Sequence, residues 1–368
     1  MAKYKLGDIC EIVSGSTPKT SIEEYWDGDI KWITPAEIND DTYIVTDSVR
    51  KITDLGAKKT GLSPFPEGTV ILSSRAPIGK VAIAGCAMCC NQGFKNLICS
   101  EKILNKYLYW FLKGNTSFLN SLGRGATFKE ISKSIVSQIE INVPEIEYQK
   151  EAADILEKVS EVIYLRKQEL SALDNLIKAR FVEMFGDPST NPRGWDETTI
   201  SDECFYIKDG PHKSLPDIGK ENGGHPFISV RNIVNGHIDF STARYISDED
   251  YADAIRKCHP EKGDMLYSKG GTTGIAKLID IDEEFANWVH VAVLKFDKSR
   301  LNGVFFENML NCSYCYEQSQ RLTKGIANRD LVLSAMAQIK LYCPPMELQN
   351  QFADFANQVD KSKFMQTL

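Results

Sequence analysis

Basic and hydrogen-bonding side chains recur at predicted turns in both halves of this chain. Arginine can pair with guanine, asparagine and glutamine match adenine, and lysine neutralises phosphates, so these residue types in clusters point to contact with double-stranded DNA. The first-half candidates are Ser73, Ser74, Arg75, Lys80, Asn91, Gln92, Lys95, Arg124, Thr127 and Lys129. The second-half candidates are Arg231, Asn232, Ser268, Lys269, Thr272, Thr273, Lys277, His290, Lys324, Asn328 and Arg329. A net charge of −7 opposes DNA binding as a bulk property but is compatible with a local basic surface.

The sequence offers only weak candidates for a catalytic or metal-binding motif. The pairs Cys86/Cys89 and Cys312/Cys315 have the spacing of zinc ligands, but they lie at non-equivalent places of the repeat described below. The histidines form no HxxxH or HxH cluster, and neither a phosphate-binding GxxxxGK[ST] loop nor the Asn/Asp-Pro-Pro-aromatic motif of a DNA methyltransferase occurs. We therefore predict no metal, no cofactor and no catalytic residue on this chain.

The segments that would position the candidates are repeated. QIEINVPEIEYQKEAADI (138–155) and QIKLYCPPMELQNQFADF (338–355) are identical at seven of 18 positions without a gap. The repeat extends upstream, where FPEGTVILSSRAPIGKVAIA (65–84) corresponds to HPEKGDMLYSKGGTTGIAKLI (259–279). A glycine loop precedes the last strand of each copy, GRGATFKE in the first and KGIANRDL in the second. Alternating strand-like stretches and amphipathic segments predict one mixed α/β domain, present twice.

A long helix is predicted after each copy. From Glu145 to Phe185 there is no Pro or Gly, and apolar residues recur at heptad spacing, as in helices that pack lengthwise on another helix. The predicted packing positions are Leu156, Val159, Ile163, Arg166, Leu170, Leu173, Ile177 and Arg180 in the first helix, and Leu348, Phe352, Phe355 and Val359 in the second. We expect the two arginines to reach carboxylates across the helix pair. The second helix is predicted to be shorter, so we expect the pairing to be incomplete.

The predicted fold is α+β, with two similar domains joined by long antiparallel coiled-coil helices in a pseudo-twofold dumbbell. Its parts are a first domain (1–144), a long helix (145–187), a second domain (188–344) and a second helix (345–368). The start of the chain does not resemble a signal peptide, and its apolar runs are too short to span a membrane. We therefore expect a cytoplasmic protein.

This order of parts resembles the specificity subunit of type I restriction–modification systems. The resemblance is carried by RFVEMFGDP (180–188), by the strand–proline–helix junctions at Pro144 and Pro344, and by NQGF (91–94). It implies that each α/β domain is a target recognition domain for one half of a bipartite DNA sequence. It also implies that the helices set the half-site spacing and dock two DNA methyltransferase subunits, which would carry S-adenosylmethionine, and that restriction subunits can join the complex.

Two other interpretations remain open from the residues alone. One is a protein-binding coiled-coil scaffold whose α/β domains do not bind DNA, which the acidic balance would favour. The other is a self-contained modification enzyme with a divergent active site. Salt-dependent duplex binding distinguishes the scaffold from the DNA reader, and methyl incorporation by the isolated chain tests the enzyme.

Overall fold

The computed structural model describes residues 1–75, 77–125, 129–326 and 328–367, with the backbone alone for 364–367. The chain divides into two compact units, Met1–Lys167 and Gln168–Leu368, and the division falls inside one long helix. Each unit has its own buried apolar clusters. None of the helices in the described ranges combines the length and the hydropathy needed to cross a membrane.

The first unit alternates short strands and helices. Its strands are β1 (Ala2–Lys5), β2 (Cys10–Ser14), β3 (Trp26–Ile33), β4 (Ile44–Val45), β5 (Arg50–Ile52), β6 (Val70–Leu72), β7 (Val81–Ala84), β8 (Cys89–Cys90), β9 (Lys95–Cys99) and β10 (Glu140–Val143). Its helices are α1 (Leu6–Ile9), α2 (Asp54–Thr60), α3 (Asn105–Gly114), α4 (Thr116–Ser121) and α5 (Lys133–Ser137), followed by the start of α6 (Ile146–Phe185).

The second unit begins within α6 and has the same order. Its strands are β11 (Glu197–Thr199), β12 (Cys204–Asp209), β13 (His225–Ile228), β14 (Arg244–Ile246), β15 (Met265–Ser268), β16 (Ala276–Leu278), β17 (Ala286–Asn287), β18 (Val291–Phe296) and β19 (Lys340–Tyr342). Its helices are α7 (Ile200–Glu203), α8 (Asp248–Lys257), α9 (Gly303–Asn311), α10 (Ser313–Leu322), α11 (Leu333–Met336) and α12 (Met346–Thr367).

The sheet topologies of the two units correspond, except that β4 of the first unit has no counterpart in the second. The larger sheet has the order β2-β9-β6-β7-β4 in the first unit and β12-β18-β15-β16 in the second. The smaller sheet is β5-β3-β8 and then β14-β13-β17, with one antiparallel and one parallel pair each time. A strand pair at the end, β1-β10 or β11-β19, closes each unit. The repeat predicted from the sequence is thus a repeat of the fold.

A buried glutamine joins each α/β fold to the helix that follows it. Gln149 donates to the carbonyls of Pro144 and Lys102 at 2.9 and 3.0 Å and accepts from the backbone N–H of Leu104 at 2.8 Å. Gln349 makes the same three contacts in the second unit, with the carbonyls of Pro344 and Arg300 and the N–H of Asn302. These contacts explain why the strand–proline–helix phrase occurs twice, because its glutamine satisfies backbone groups that would otherwise be buried without partners.

The helix pairing is realised over part of the predicted length. Within the second unit, Phe181 lies against Phe352, the Arg180 guanidinium lies 5.6 Å from the Phe355 ring centre, and Lys363 forms an ion pair with Asp174. Because the contacts move towards the start of α6 as they move along α12, the two helices are antiparallel, as the sequence predicts.

The other packing positions separate into two groups along α6. Ile177 is buried, and Leu170, Leu173 and Arg180 are partly buried. The prediction that Leu156, Val159 and Ile163 pack on a helix of this chain is not realised among the described residues, since their exposures are 43, 50 and 52%. Arg180 also differs from expectation, because it pairs with Glu183 of its own helix. Phe181 and Phe185, which the heptad register did not include, supply the buried aromatic contacts.

Candidate nucleic-acid interface

In each unit a buried serine closes the turn between two neighbouring strands of the larger sheet. Ser73 Oγ accepts from the backbone N–H of Lys80 at 2.8 Å and donates to the carbonyl of Pro77 at 2.7 Å. Ser268 Oγ accepts from the N–H of Ile275 at the equivalent place, also at 2.8 Å. Both serines are fully buried. They shape the turns between β6 and β7 and between β15 and β16, and they are not available to DNA.

The glycine loops of the two units are hairpins with the same hydrogen bonds. Arg124 and Glu130 exchange backbone hydrogen bonds of 3.0 and 2.9 Å, and Lys324 and Asp330 exchange two of 2.9 Å. The residue after each cation is a glycine with positive φ, +128° in the first hairpin and +85° in the second. A side chain at the second glycine would lie 2.2 Å from the carbonyl oxygen of Asn328, so the turn requires glycine there.

A buried lysine holds the carboxylate at the end of each hairpin. Lys95 Nζ lies 3.2 Å from Glu130 and 3.3 Å from Ser74 Oγ. Lys269 Nζ lies 3.1 Å from Asp330 and 3.5 Å from Asp209. An ammonium group removed from water needs such partners, because an unpaired buried charge costs several kcal/mol. These lysines therefore fix the hairpins to the sheet.

Three segments meet at one edge of each unit: the serine turn, the glycine hairpin and the residues that precede β9 or β18. In the first unit the N–H of Ser74 donates to the carbonyl of Gly93 at 2.7 Å, and that of Ile131 donates to the carbonyl of Ser74 at 3.0 Å. In the second unit Lys269 occupies the place of Ser74, with 2.8 Å to the carbonyl of His290 and 2.7 Å from the N–H of Leu331. The three predicted clusters of each half are thus brought together.

The predicted DNA-contacting residues divide by exposure. The exposed ones are Gln92, Arg124, Lys129, Arg231, Thr272, Lys324 and Asn328, and the partly buried ones are Arg75, Lys80, Asn91, His290 and Arg329. The buried ones are Ser73, Ser74, Lys95, Asn232, Ser268, Lys269, Thr273 and Lys277. Thr127 lies outside the described residues. A buried side chain cannot reach a duplex, so the buried group is corrected to internal roles.

Those internal roles are visible in the contacts of the buried group. Asn232 caps the short helical turn that follows β13. Thr273 shares a hydrogen bond of 3.0 Å with Thr323. Lys277 pairs with Glu307 at 3.4 Å and with Asp280 at 3.3 Å, and burial raises the pKa of Glu307 even though Lys277 opposes that shift. In the sequence such residues resemble surface cations and turn formers, and this resemblance accounts for the wrong prediction that they contact DNA.

A small cavity in the second unit was missed by the sequence reasoning. It has a volume of about 200 Å³ and is lined by Phe227, Ser229, Arg231, Arg244 and Trp288. The Arg244 guanidinium lies 5.7 Å from the Trp288 ring centre, and that ring lies 4.7 Å from His290. The buried indole N–H of Trp288 has no hydrogen-bond partner in the described part of the chain. The lining is therefore rich in donors and suits a group rich in acceptors, such as the major-groove edge of guanine.

The first unit has different side chains at the same places. The backbone N–H groups of Asn91 and Trp288 donate to the carbonyls of Ile33 and Ile228, which makes Asn91 the counterpart of Trp288. Equivalent capping turns begin at Thr34 in the first unit and at Ser229 in the second. Two residues after each start, the first unit has Ala36 and the second has Arg231. No sequence motif marks the cavity, because its residues come from three separate segments.

Comparison with known proteins identifies the family of this chain. The model of the type I restriction modification DNA specificity domain matches residues 1–175 and again 192–367. The MjaIX type I restriction enzyme specificity subunit of Methanocaldococcus jannaschii is 30% identical over 366 residues, which cover 95% of this chain and 84% of that protein. The crystal structure of a type I restriction–modification S subunit from M. genitalium aligns with 100% of this chain and 91% of its own, with a TM-score of 0.57 at 16% identity. A further structure, on complex assembly and conformational transition of the type I system, aligns with 100% of this chain and 92% of its own, with a TM-score of 0.52 at 17% identity. The fold is shared with these structures, and the chain belongs to the family of type I restriction–modification DNA specificity proteins.

Proposed function

We propose that this chain is the DNA-recognition subunit of a type I restriction–modification complex, and that each unit reads one half of a bipartite target. One observation carries the proposal: the same three segments meet at one edge of each unit and expose cations, while the side chains at equivalent positions differ. Two readers of one design with different side chains suit two different half-sites.

Exchange of one unit tests this proposal. Met1–Pro144 is replaced by the corresponding segment of a homologous specificity protein, and the modified strain's DNA is mapped for methylation. We expect the first half-site to change and the second to stay the same. A change in both half-sites would contradict the two-reader model. A full chain without salt-dependent duplex binding would instead support the scaffold interpretation.

We also propose that α6 and α12 dock two methyltransferase subunits. The first part of α6 exposes apolar side chains at Ile155, Val159, Val162 and Ile163, between 50 and 57% each. A cavity of about 440 Å³ lies beside them in the first unit, lined among others by Tyr43, Trp110 and Glu157. An apolar helix face next to a cavity fits a partner's side chains.

A paired set of variants tests the docking. Val159→Glu with Ile163→Glu should reduce co-purification of the modification subunit, because the new charges would have to be buried. Ser171→Glu adds charge at an exposed polar position of the same helix and should have no effect. Unchanged co-purification of the double variant would remove this face from the docking surface.

The remaining functional assignments follow from the same proposal. Catalysis and S-adenosylmethionine binding would belong to the methyltransferase subunits, restriction subunits would complete a nuclease complex, and the assembly would act in the cytoplasm. The described residues contain no group of three His, Cys, Asp or Glu side chains arranged for a metal ion. Absence of methyl transfer by the purified chain alone, with transfer in the complex, is the expected result.

The length of α6 would contribute to the half-site spacing, since α6 connects the two units along the chain. One added heptad within 156–177 lengthens the helix by about 10.5 Å and keeps its apolar positions in phase. Methylation mapping should then show up to about three additional base pairs between unchanged half-sites, at roughly 3.4 Å per base pair. An unaltered spacing with full modification would contradict this role.

A further inference from the structure

The two glycine hairpins, 124–130 and 324–330, are far more alike than the surfaces around them. Each begins with a cation, continues with a glycine of positive φ, and ends with a cation and a carboxylate: Arg124, Lys129 and Glu130 in one, Lys324, Arg329 and Asp330 in the other. The backbone hydrogen bonds between first and last residue are the same. The spacing of the charges and the pairing of the hairpin ends are therefore both repeated.

The exposed cations of the hairpins form no ion pair among the residues that the structure describes. The carboxylates at the hairpin ends pair with Lys95 and Lys269, and the first also with Arg75 at 3.6 Å. Arg124, Lys129 and Lys324 are exposed, and none of them forms an ion pair with a carboxylate of the described ranges. Arg329 is partly buried and contacts the side-chain oxygen of Gln320. Exposed, uncompensated cations on a fixed loop are suited to an anionic ligand.

Positions beside the hairpins differ in chemistry. The residue whose backbone forms a β-bridge with the last residue of the hairpin is Arg75 in the first unit and Gly270 in the second. Asn91 is replaced by Trp288, and Ala36 by Arg231. Side chains that read two different half-sites must differ, whereas a contact made in both must recognise something both half-sites share. On duplex DNA that shared element is the sugar–phosphate backbone.

We propose that the two hairpins are equivalent phosphate-binding sites that hold either half-site without reading its sequence, a role that rests on the proposed DNA-recognition function. The buried lysine fixes the end of each hairpin, and the free cations meet phosphates at its rim. Sequence discrimination is then left to the divergent positions, among them the cavity of Arg231, Arg244 and Trp288.

Exchange of the hairpins separates positioning from reading. In the full chain, expressed with its modification subunits, segments 124–130 and 324–330 are exchanged, and the methylated sequence is mapped. We expect both half-sites to be unchanged, because each exchanged hairpin brings equivalent cations and the same end pairing to either unit. A changed base at either half-site would overturn the proposal while leaving DNA recognition itself intact.

Charge variants provide the second measurement and do not depend on the folding of the exchanged chain. Lys324→Gln should lower affinity for the target duplex and for an unrelated duplex by the same factor, and reduce the slope of log K against log salt by about 0.9. Lys298→Gln is the matched control, since this exposed lysine follows the opposite end of β18 and should leave both affinities unchanged. A loss confined to the target duplex, or no loss, would overturn the proposal. A wild-type chain that binds neither duplex would instead contradict the proposed function.

Discussion

The two units fix their hairpins with a buried lysine, but that lysine comes from different strands. In the first unit Lys95 begins β9, opposite Ser14 of β2. In the second unit the position of Lys95 is taken by Ala292, opposite Asp209, and the cation is Lys269 at the end of β15. Asp209 provides a second carboxylate partner for Lys269. The fold therefore requires a cation within reach of the hairpin carboxylate, and not a lysine at one strand position.

A second difference lies on β7 and α3 of the first unit and on β16 and α9 of the second. The strand and helix registers place Ala82 and Tyr109 of the first unit at the positions of Lys277 and Glu307. The first unit buries these two side chains in apolar clusters, and the second has an ion pair at the same positions. Removing one partner of the ion pair leaves an unpaired charge, whereas replacing one of the apolar side chains does not.

This difference gives the largest expected effect. Lys277→Ala should destabilise the second unit by up to about 3–5 kcal/mol, because the partly buried Glu307 would be left beside Asp280 without its cation. Adding Glu307→Tyr removes the unpaired carboxylate and gives the second unit the residue that the first unit has at this position. The double variant should therefore regain most of the lost stability. Chemical denaturation of the two variants measures both steps. Equal stability of the single and double variants would show that the pair is not required.

The buried glutamines test what the units have in common. Gln149→Ala and Gln349→Ala each remove the three hydrogen bonds that a fully buried amide makes with the backbone, so we expect losses of about 2–3 kcal/mol in each case. Gln358, which is exposed on α12, offers a glutamine-to-alanine control away from both junctions. Denaturation curves should show similar losses for the two junction variants. A loss in one unit alone would mean that the junctions are not equivalent.

The sequence predicted the features that are local and repeated. The heptad pattern located α6, and the repeated glutamine phrase and glycine loops located the junctions and hairpins. It failed where the outcome depends on contacts between distant segments. Lys269 and Lys277 resemble surface cations until the strands enclose them, and Trp288 and Arg244 form a cavity only after three segments meet. Leu156 and Val159 follow the heptad register of α6, but register alone does not supply a partner.

The donor-rich cavity of the second unit allows the proposed base recognition of the two units to be compared. If the cavity reads bases as proposed, Arg231→Ala should weaken binding to the specific duplex by about 1–2 kcal/mol and relax preference at the second half-site, because the cavity loses one guanidinium. The first half-site should be unaffected, since the first unit has Ala36 at this position. Competition binding with duplexes altered in either half-site measures the difference. Relaxed preference at the first half-site would contradict the assignment.

The smallest expected effect concerns acid stability, which should differ between the units. Glu203 is buried and accepts hydrogen bonds of 2.9 and 2.8 Å from Arg300, and these bonds hold the pKa of Glu203 below its ordinary value. The corresponding residue of the first unit is Ile9, which also precedes a strand and is buried. A carboxylate with a lowered pKa contributes its full stability above the unfolded value of about 4.3 and loses it as pH falls through the folded pKa.

The wild-type second unit should therefore lose stability on acidification below about pH 4.3, beyond the loss common to all exposed carboxylates. Glu203→Gln keeps the shape and cannot ionise, so it should lower stability at neutral pH and flatten the dependence in this acid range. Thermal unfolding at several pH values, with Glu197→Gln as a control at an exposed carboxylate, measures the change. If the wild type and Glu203→Gln lose stability in parallel on acidification, the Glu203–Arg300 pair does not make the second unit more acid-sensitive than the first.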